Sequence, residues 1–349
     1  MRVLARTLLA LVGAALLGGV AVAAAGLKPL PTLQAVVWGA AGDSFGIRNS
    51  LLQAVPITLT AVGVTLGLRA SLFNLGGEGQ IYMGALGAAA VALAARDLPG
   101  WLLVPLVILA GAVAGFGWGL IAGVLRATLG LSEIITTIML NFIAFFAVSY
   151  LVRGPIQDPQ AAGYPYTEQV TPAARLGTLG GFVPAGAILA VLAAAVCWLV
   201  LDRSRPGVRI NDIGQGEPAA RFAGVPIGVY TIVVLGVAGA MGGLAGAAEL
   251  TGNQLRLSDQ FSPGWGFDAV AVALIGRGNP FGTLAAGLFF GALRSGIDAA
   301  QASAAVPAAV AQIIQAATVL LLVAANSDVL AHALRSIHRA GWRLRARPA

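Results

Sequence analysis

Residues 101–125, WLLVPLVILAGAVAGFGWGLIAGVL, hold twenty-five positions without one charged or amide side chain. A helix needs about 20 consecutive apolar residues to cross the hydrocarbon core of a bilayer. The stretch therefore has the length of a membrane span, and it has no polar face to turn toward water. Working outward, comparable apolar runs lie at about 6–25, 50–68, 79–95, 133–152, 182–201, 225–248, 264–276, 281–297 and 306–325, divided by charged or Pro/Gly-rich breaks. The eighth and ninth of the ten are short enough for a re-entrant hairpin. The pattern predicts an all-α, polytopic membrane helix bundle of about eight to ten transmembrane helices, some of them interrupted.

Composition excludes most other classes. The chain of 349 residues is 58% hydrophobic and 10% charged, whereas a soluble domain carries about a quarter charged side chains. Its formal charge of +7 is spread in short arginine clusters between apolar runs, not in a stripe interleaved with aromatics, which argues against nucleic acid as a partner. Lipid is the expected surroundings. The one cysteine, Cys197, sits inside an apolar run, so disulfide, zinc and dithiol chemistry within the chain are excluded. Ala23-Ala24-Ala25-Gly26 resembles a signal-peptidase site, but the many later spans favour an uncleaved first helix.

Basic residues set the orientation. With the N-terminus inside, fourteen fall on the cytoplasmic side (Arg2, Arg6, Arg69, Arg126, Arg203, Arg205, Arg209, Arg221, Arg277, Arg335, Arg339, Arg343, Arg345 and Arg347) and six outside (Lys28, Arg48, Arg96, Arg153, Arg175 and Arg256). A bacterial inner-membrane protein with both termini cytoplasmic is expected. It consists of one transmembrane domain over 1–330 and a basic cytoplasmic tail over 331–349. The longest outer loop, 153–181, holds Gly154-Pro155, Asp158-Pro159 and Tyr164-Pro165-Tyr166 and reads either as a stiff receiving lip or as a plain connector. The longest inner loop, 202–224, contains Glu217-Pro218-Ala219-Ala220-Arg221-Phe222-Ala223. An acid and a proline at the start and a base near the end suit a short helix, and Phe222 and Val225 suit one lying on the cytoplasmic face.

Glycines recur every four residues at Gly111, Gly115, Gly119 and Gly123, and in the pairs Gly63/Gly67, Gly239/Gly243 and Gly287/Gly291. In lipid, such stripes let helix backbones approach closely; the signal is structural. Polar breaks carry more. Ser71-Leu72-Phe73-Asn74-Leu75-Gly76-Gly77-Glu78-Gly79-Gln80 places three glycines around one carboxylate. Ser262-Pro263-Gly264-Trp265-Gly266-Phe267-Asp268 and Gly276-Arg277-Gly278-Asn279-Pro280 interrupt the second half. Paired interruptions point to a transporter's substrate path; the plain alternative is ordinary turns. Glu133, with Thr136, Thr137 and Asn141 along one face, either caps and bridges helices or lines a pore. For Glu133 the helix-start position favours capping, while mid-span Asn141 needs a partner or water.

Active transport requires an energy source. A phosphate-binding loop needs a lysine after its last glycine, and the single lysine of this chain, Lys28, lies between Leu27 and Pro29. ATP, if it drives transport, must be bound by another subunit. A proton-coupled carrier is disfavoured because both histidines, His332 and His338, lie in the tail. A membrane-embedded enzyme is disfavoured because the spans offer no nucleophile–base cluster, carboxylate pair or metal site.

Four stretches, in order, carry a family resemblance: 73–85 with its Gly-x-Glu-Gly-Gln run; 133–142 followed by Tyr150-Leu151-Val152-Arg153-Gly154-Pro155; 217–224; and 266–280. Together they cover about 50–325, and they resemble permeases of the branched-chain amino acid/ribose superfamily, nucleoside and simple-sugar branch. The resemblance implies a type II-like permease of an ATP-binding-cassette importer for a nucleoside or simple sugar. It is not itself an enzyme and has no cofactor. Its implied partners are a cytoplasmic ATP-binding cassette subunit, a second permease subunit (identical or homologous) and a periplasmic or lipoprotein solute-binding protein. The resemblance makes residues 210–224 a coupling helix, with Glu217, Arg221 and Phe222 toward the ATPase, and makes Asn74, Glu78, Gln80 and Asn141 candidates for the substrate path. Asn211-Asp212-Ile213-Gly214-Gln215-Gly216 departs from the Arg-Ala-Val-Gly-Glu-Asn-like run of the family. The alternative function is an ion-coupled secondary transporter of a similar solute.

Overall fold

The computed structural model describes residues 2–304 and 306–326. The basic tail 331–349, with His332, His338 and its arginines, lies outside the described residues. Thirteen α-helices follow one another among these residues. They are α1 (Arg2–Ala24), α2 (Pro29–Ala41), α3 (Ser44–Arg69), α4 (Gly77–Ala94), α5 (Gly100–Leu129), α6 (Glu133–Val152), α7 (Ala185–Arg203), α8 (Arg205–Gln215), α9 (Glu217–Phe222), α10 (Ile227–Glu249), α11 (Trp265–Gly276), α12 (Pro280–Ala304) and α13 (Ala308–Asn326). A π-helical turn, Leu250–Gln254, extends α10. The described sheet is a two-stranded antiparallel hairpin, β1 (Thr178–Leu179) with β2 (Val183–Pro184), in the long segment between α6 and α7.

Each of the ten apolar runs is helical over most of its length. Among the described residues five helices are long and apolar enough to cross a membrane: Ser44–Arg69, Gly100–Leu129, Glu133–Val152, Ala185–Arg203 and Ile227–Gln254. Shorter apolar helices cover Val12–Ala24, Trp265–Gly276 and Ala308–Ala324. α11, twelve residues, is about 18 Å long at 1.5 Å per residue, well short of a hydrocarbon core of about 30 Å.

The described residues pack as two compact units, 2–46 with 293–304 and 306–326, and 47–292. In the first, Val22 of α1, Val36 of α2, Ile297 and Ala300 of α12 and Val310 and Ile314 of α13 form one apolar cluster. α2 was not expected. Its thirteen residues fall in what reads as a connector, because Pro29 and Pro31 look like breaks, yet proline is at home in the first turn of a helix.

In the second unit α5, α4 and α10 pack through glycine. A Cβ on Gly115 would stand 2.3 Å from the Gly239 carbonyl oxygen, and one on Gly243 would stand 2.1 Å from that of Gly111. The faces of α5 are reversed relative to a soluble helix. It buries Gly111, Gly115, Gly119 and Gly123 and turns Leu109, Val113 and Ile121 outward, the arrangement expected where lipid is as apolar as leucine and close backbone contact drives association.

The segment 202–224 holds two helices, not the single short one expected. Ser204 caps α8, its hydroxyl accepting from the Gly207 N–H. Ile213 of α8, Ala220 of α9 and Val225 form a small core beneath them. The expectation that Phe222 seats this element is corrected: Val225 is buried, whereas Phe222 is 98% exposed.

Candidate functional site

α3 ends at Arg69 and α4 starts at Gly77, leaving a run of backbone without helical bonds inside a membrane-spanning unit. Each free N–H or C=O there must find a protein or water partner. Side chains from one face of α6 supply three of them. Glu133, Thr137 and Asn141 are spaced four apart, so they line up along the helix. The Glu133 Oε1 accepts from the Phe73 N–H at 3.4 Å, and the Thr137 hydroxyl from the Leu75 N–H at 3.3 Å. The Asn141 amide serves twice, donating to the Leu75 carbonyl at 2.8 Å and accepting from the Gly79 N–H at 2.8 Å. Thr136, on the same stretch, bonds back to Ser132 and Glu133 within its own helix.

The break also supports itself. Asn74 Oδ1 accepts from the Gly76 N–H at 2.9 Å, and the Asn74 and Gln80 amides face each other at 3.2 and 3.3 Å. The fit is tight at Gly79, where a Cβ would sit 3.0 Å from the Asn141 side-chain oxygen. Glu133 bridges elements instead of capping its own helix, since its second oxygen lies 3.4 Å from the Arg126 guanidinium.

The second interruption meets the first. Gly264, at φ 102°, turns the chain into α11, a conformation for which glycine has no Cβ penalty. The Glu78 carboxylate accepts from the Gly266 N–H at 2.8 Å. A Cβ on Gly266 would lie 2.1 Å from the Glu78 nitrogen, so the two broken segments touch backbone to backbone. Tyr82, one turn beyond Glu78, donates to the Asp259 carbonyl at 3.2 Å and accepts from the Ser262 N–H at 3.3 Å. Its ring packs edge-on against Phe145 and Phe261.

All four sequence-derived path residues, Asn74, Glu78, Gln80 and Asn141, are thus gathered in this one buried cluster. Glu217, Arg221 and Phe222 are gathered elsewhere, exposed together on α9 around an open concavity. Sequence reasoning missed Glu249. This carboxylate, 2% exposed, ends α10, and its Oε1 accepts from Asn253 at 2.7 Å and Gln254 at 3.3 Å across the π turn. Gln254 also donates to the Phe261 carbonyl at 2.8 Å. A carboxylate followed at +4 and +5 by two amides, next to an apolar run, is the signal that could have found it.

The long segment between α6 and α7 is laced to residues 251–259. The Thr167 N–H donates to the Leu257 carbonyl, the Val170 N–H to that of Leu255 and the Leu176 N–H to that of Thr251, each at 2.9 Å. Arg153 pairs with Asp259, and Arg256 pairs with Asp158 at 3.4 Å while lying 4.6 Å from the Tyr166 ring centre.

These features have counterparts among known proteins. The glucose ABC transporter permease protein TsgB13 of Haloferax volcanii is 36% identical over 329 residues, covering 91% of this chain and 86% of the relative. The guanosine ABC transporter permease protein NupP of Bacillus subtilis is 32% identical, over 71% of this chain and 72% of the relative. The nucleoside ABC transporter permease protein NupB of Lactococcus lactis is 31% identical, over 81% and 80%. Residues 46–323 match the family described as the branched-chain amino acid transport system / permease component, a span that takes in both helix breaks and the α8–α9 elbow. Permeases of this kind are multi-pass, non-catalytic membrane subunits whose ATPase activity lies in a separate subunit, and whose partners in general are that ATP-binding subunit and a solute-binding protein. With helices that suit a bilayer and a profile match over most of its length, this chain belongs to the branched-chain amino acid transport system permease-component family.

Proposed function

We propose that the chain is the transmembrane permease of an ATP-binding-cassette importer that carries a nucleoside or simple sugar across a bacterial inner membrane, with both termini cytoplasmic. The observation that carries this reading is the direct contact of Gly266 with Gly77 and Glu78, where the helix breaks that end at residues 76 and 264 pass into α4 and α11, inside the unit of residues 47–292. Unwound backbone inside a transporter lines a cavity or packs on protein, and paired breaks in the two halves of the chain are where such proteins hold solute. Asn74, Glu78, Gln80 and Asn141 shape the path. Their amide and carboxylate groups hold the broken segments open as hydrogen-bonding backbone, a surface matched to hydroxyl-rich solutes. The glucose and nucleoside relatives support that solute class.

Residues 1–330 act as one transmembrane domain, with 331–349 a basic cytoplasmic tail. A second permease subunit, a copy or a homologue, completes the pathway, and a periplasmic or lipoprotein solute-binding protein delivers to the outer loop 153–181. The α8–α9 elbow is where the ATPase pushes, with exposed Glu217, Arg221 and Phe222 as its contacts. ATP binding and hydrolysis in the partner shift the bundle between outward-open and inward-open packings; no bond in the solute is made or broken.

The test is uptake by vesicles holding the permease with its ATPase and binding protein. Glu217→Ala with Arg221→Ala lowers uptake of labelled guanosine or glucose while the permease stays folded and the ATPase continues to hydrolyse ATP. Undiminished uptake overturns the assignment of the elbow. Thiol labelling of cysteines placed over 202–224 in whole cells reports the side of the membrane, and periplasmic labelling overturns the orientation.

A further inference from the structure

We propose that Ser71 is a positioning residue that ties the cytoplasmic α8–α9 elbow to the first helix break, so that movement of the elbow is felt in the unwound segment. The inference rests on the reading of that elbow as the ATPase contact and names the residue through which it acts. Ser71 is one of four non-glycine residues at positive φ among the described residues, at 56°, a conformation that L side chains rarely adopt unless the surroundings hold them there. What holds it is α8: the Ser71 hydroxyl donates to the Gly214 carbonyl at 2.9 Å.

The contact is close on the other side as well. A Cβ on Gly214 would lie 2.1 Å from the Arg69 carbonyl oxygen, so the last turn of α8 sits backbone to backbone on the end of α3. Arg69 pairs with Asp202 in the last turn of α7, and Asn211 of α8 donates to the Leu201 carbonyl at 3.3 Å. The ends of α3, α7 and α8 are therefore clamped as one block, with Ser71 as its outlet toward the break.

Outward from Ser71 the chain reaches Phe73 and Leu75 within four residues, and these are the backbone groups held by Glu133, Thr137 and Asn141 of α6. Toward the cytoplasm, Gly214 is three residues from Glu217 at the start of α9. A displacement of α9 thus has a short, hydrogen-bonded route to the segment that Asn141 pins, and the Ser71 hydroxyl supplies the side-chain bond in it between α8 and the break.

Ser71→Gly separates this role from a structural one, because glycine prefers the observed φ yet lacks the hydroxyl. Permease carrying Cys197→Ala and Phe73→Cys is assembled in nanodiscs with its ATPase. The rate of maleimide labelling at position 73, which is 43% exposed as phenylalanine, is measured with and without ATP and vanadate. With Ser71 in place, trapping changes that rate. Ser71→Gly reduces the change about fivefold, the factor expected for one net hydrogen bond, while the ATPase still copurifies. Ser71→Asn, whose short polar side chain tolerates this conformation, restores much of it. An unchanged response in Ser71→Gly, or no response with Ser71 present, overturns the proposal. Cross-linking of Glu217→Cys to the ATPase is scored in the same samples. Loss of the cross-link overturns the elbow reading itself, whereas a retained cross-link with an unchanged Ser71→Gly response overturns the Ser71 link alone.

Discussion

The two helix breaks that meet at Gly266 are held in different ways. Across 70–76 the free backbone is answered by single side chains in a row on α6, and Asn141 alone serves two main-chain groups. Across 250–264 the chain is held by many smaller ties: the π turn, Gln254 and Tyr82 bonds, and a ladder of main-chain bonds to the outer loop. The inner break therefore depends on a few side chains, and the outer one spreads its support. A substitution at the inner break should cost more than one at the outer break, although both segments mix buried and exposed positions.

Asn141→Ala is the strongest test. It leaves the Gly79 N–H and the Leu75 C=O without partners, and each buried orphan costs about 1–3 kcal/mol. Thermal unfolding of the purified permease in detergent should fall by more for this variant than for any single change at the outer break, and a shift no larger than that of Gln254→Ala would end the comparison. Asn141→Asp, which keeps an acceptor for Gly79 and loses the donor to Leu75, should lie between.

Gly266→Ala attacks the place where the breaks touch. The added Cβ would begin 2.1 Å from the Glu78 nitrogen, backbone that cannot swing away, so α4 and α11 must part. Overpacking of this sort costs about 1–3 kcal/mol and stretches the Glu78 bond. The same thermal assay should show a loss, together with faster proteolysis of the loops flanking 261–266. Gln254→Ala comes next, at about 1–2 kcal/mol for a lost side-chain bond and an under-satisfied Phe261 carbonyl, because Asn253 continues to donate to Glu249.

Much of the inner break was legible in the sequence. Three glycines around Glu78 stand out in apolar surroundings, and Glu133, Thr137 and Asn141 fall on one face at helical spacing. Its pairing with 262–268 was legible for the same reason. The particular bonds were not: Gln80 and Asn141 read as candidates for the substrate path, Asn141 also as a group in need of a partner, and the structure gives them hydrogen bonds to Asn74 and to the backbone of the break and of the first turn of α4. Periodicity reports which face a side chain shares, not which unsatisfied main-chain atom comes to lie opposite. α8 was hidden because Pro206, Gly207, Asn211 and Gly214 lower its helix propensity. Its support, Ile213 over Ala220 and Val225, is tertiary. Phe222 misled for a related reason, since an aromatic in a short helix reads as an anchor within the chain, and here it points away from it. Glu249 escaped because an apolar run was ended before it, where the α-helix continues into a π turn.

The smallest expected effect sharpens the comparison from the other side. Arg256 pairs with Asp158 at 3.4 Å and lies over the Tyr166 ring, a part-buried contact near the surface that contributes about 1 kcal/mol and weakens with salt. Beneath it the Thr167 and Leu257 main-chain groups bond each other at 2.9 Å and the Leu257 N–H reaches the Thr167 hydroxyl at 3.1 Å, so removing the charge leaves the ladder in place. Arg256→Ala should lower the unfolding temperature slightly at low salt and negligibly at high salt, with the 153–184 loop as resistant to protease as before. If that one change instead released the loop, the outer support would rest on a single side chain after all, and the outer break would belong to the same brittle class as the inner one.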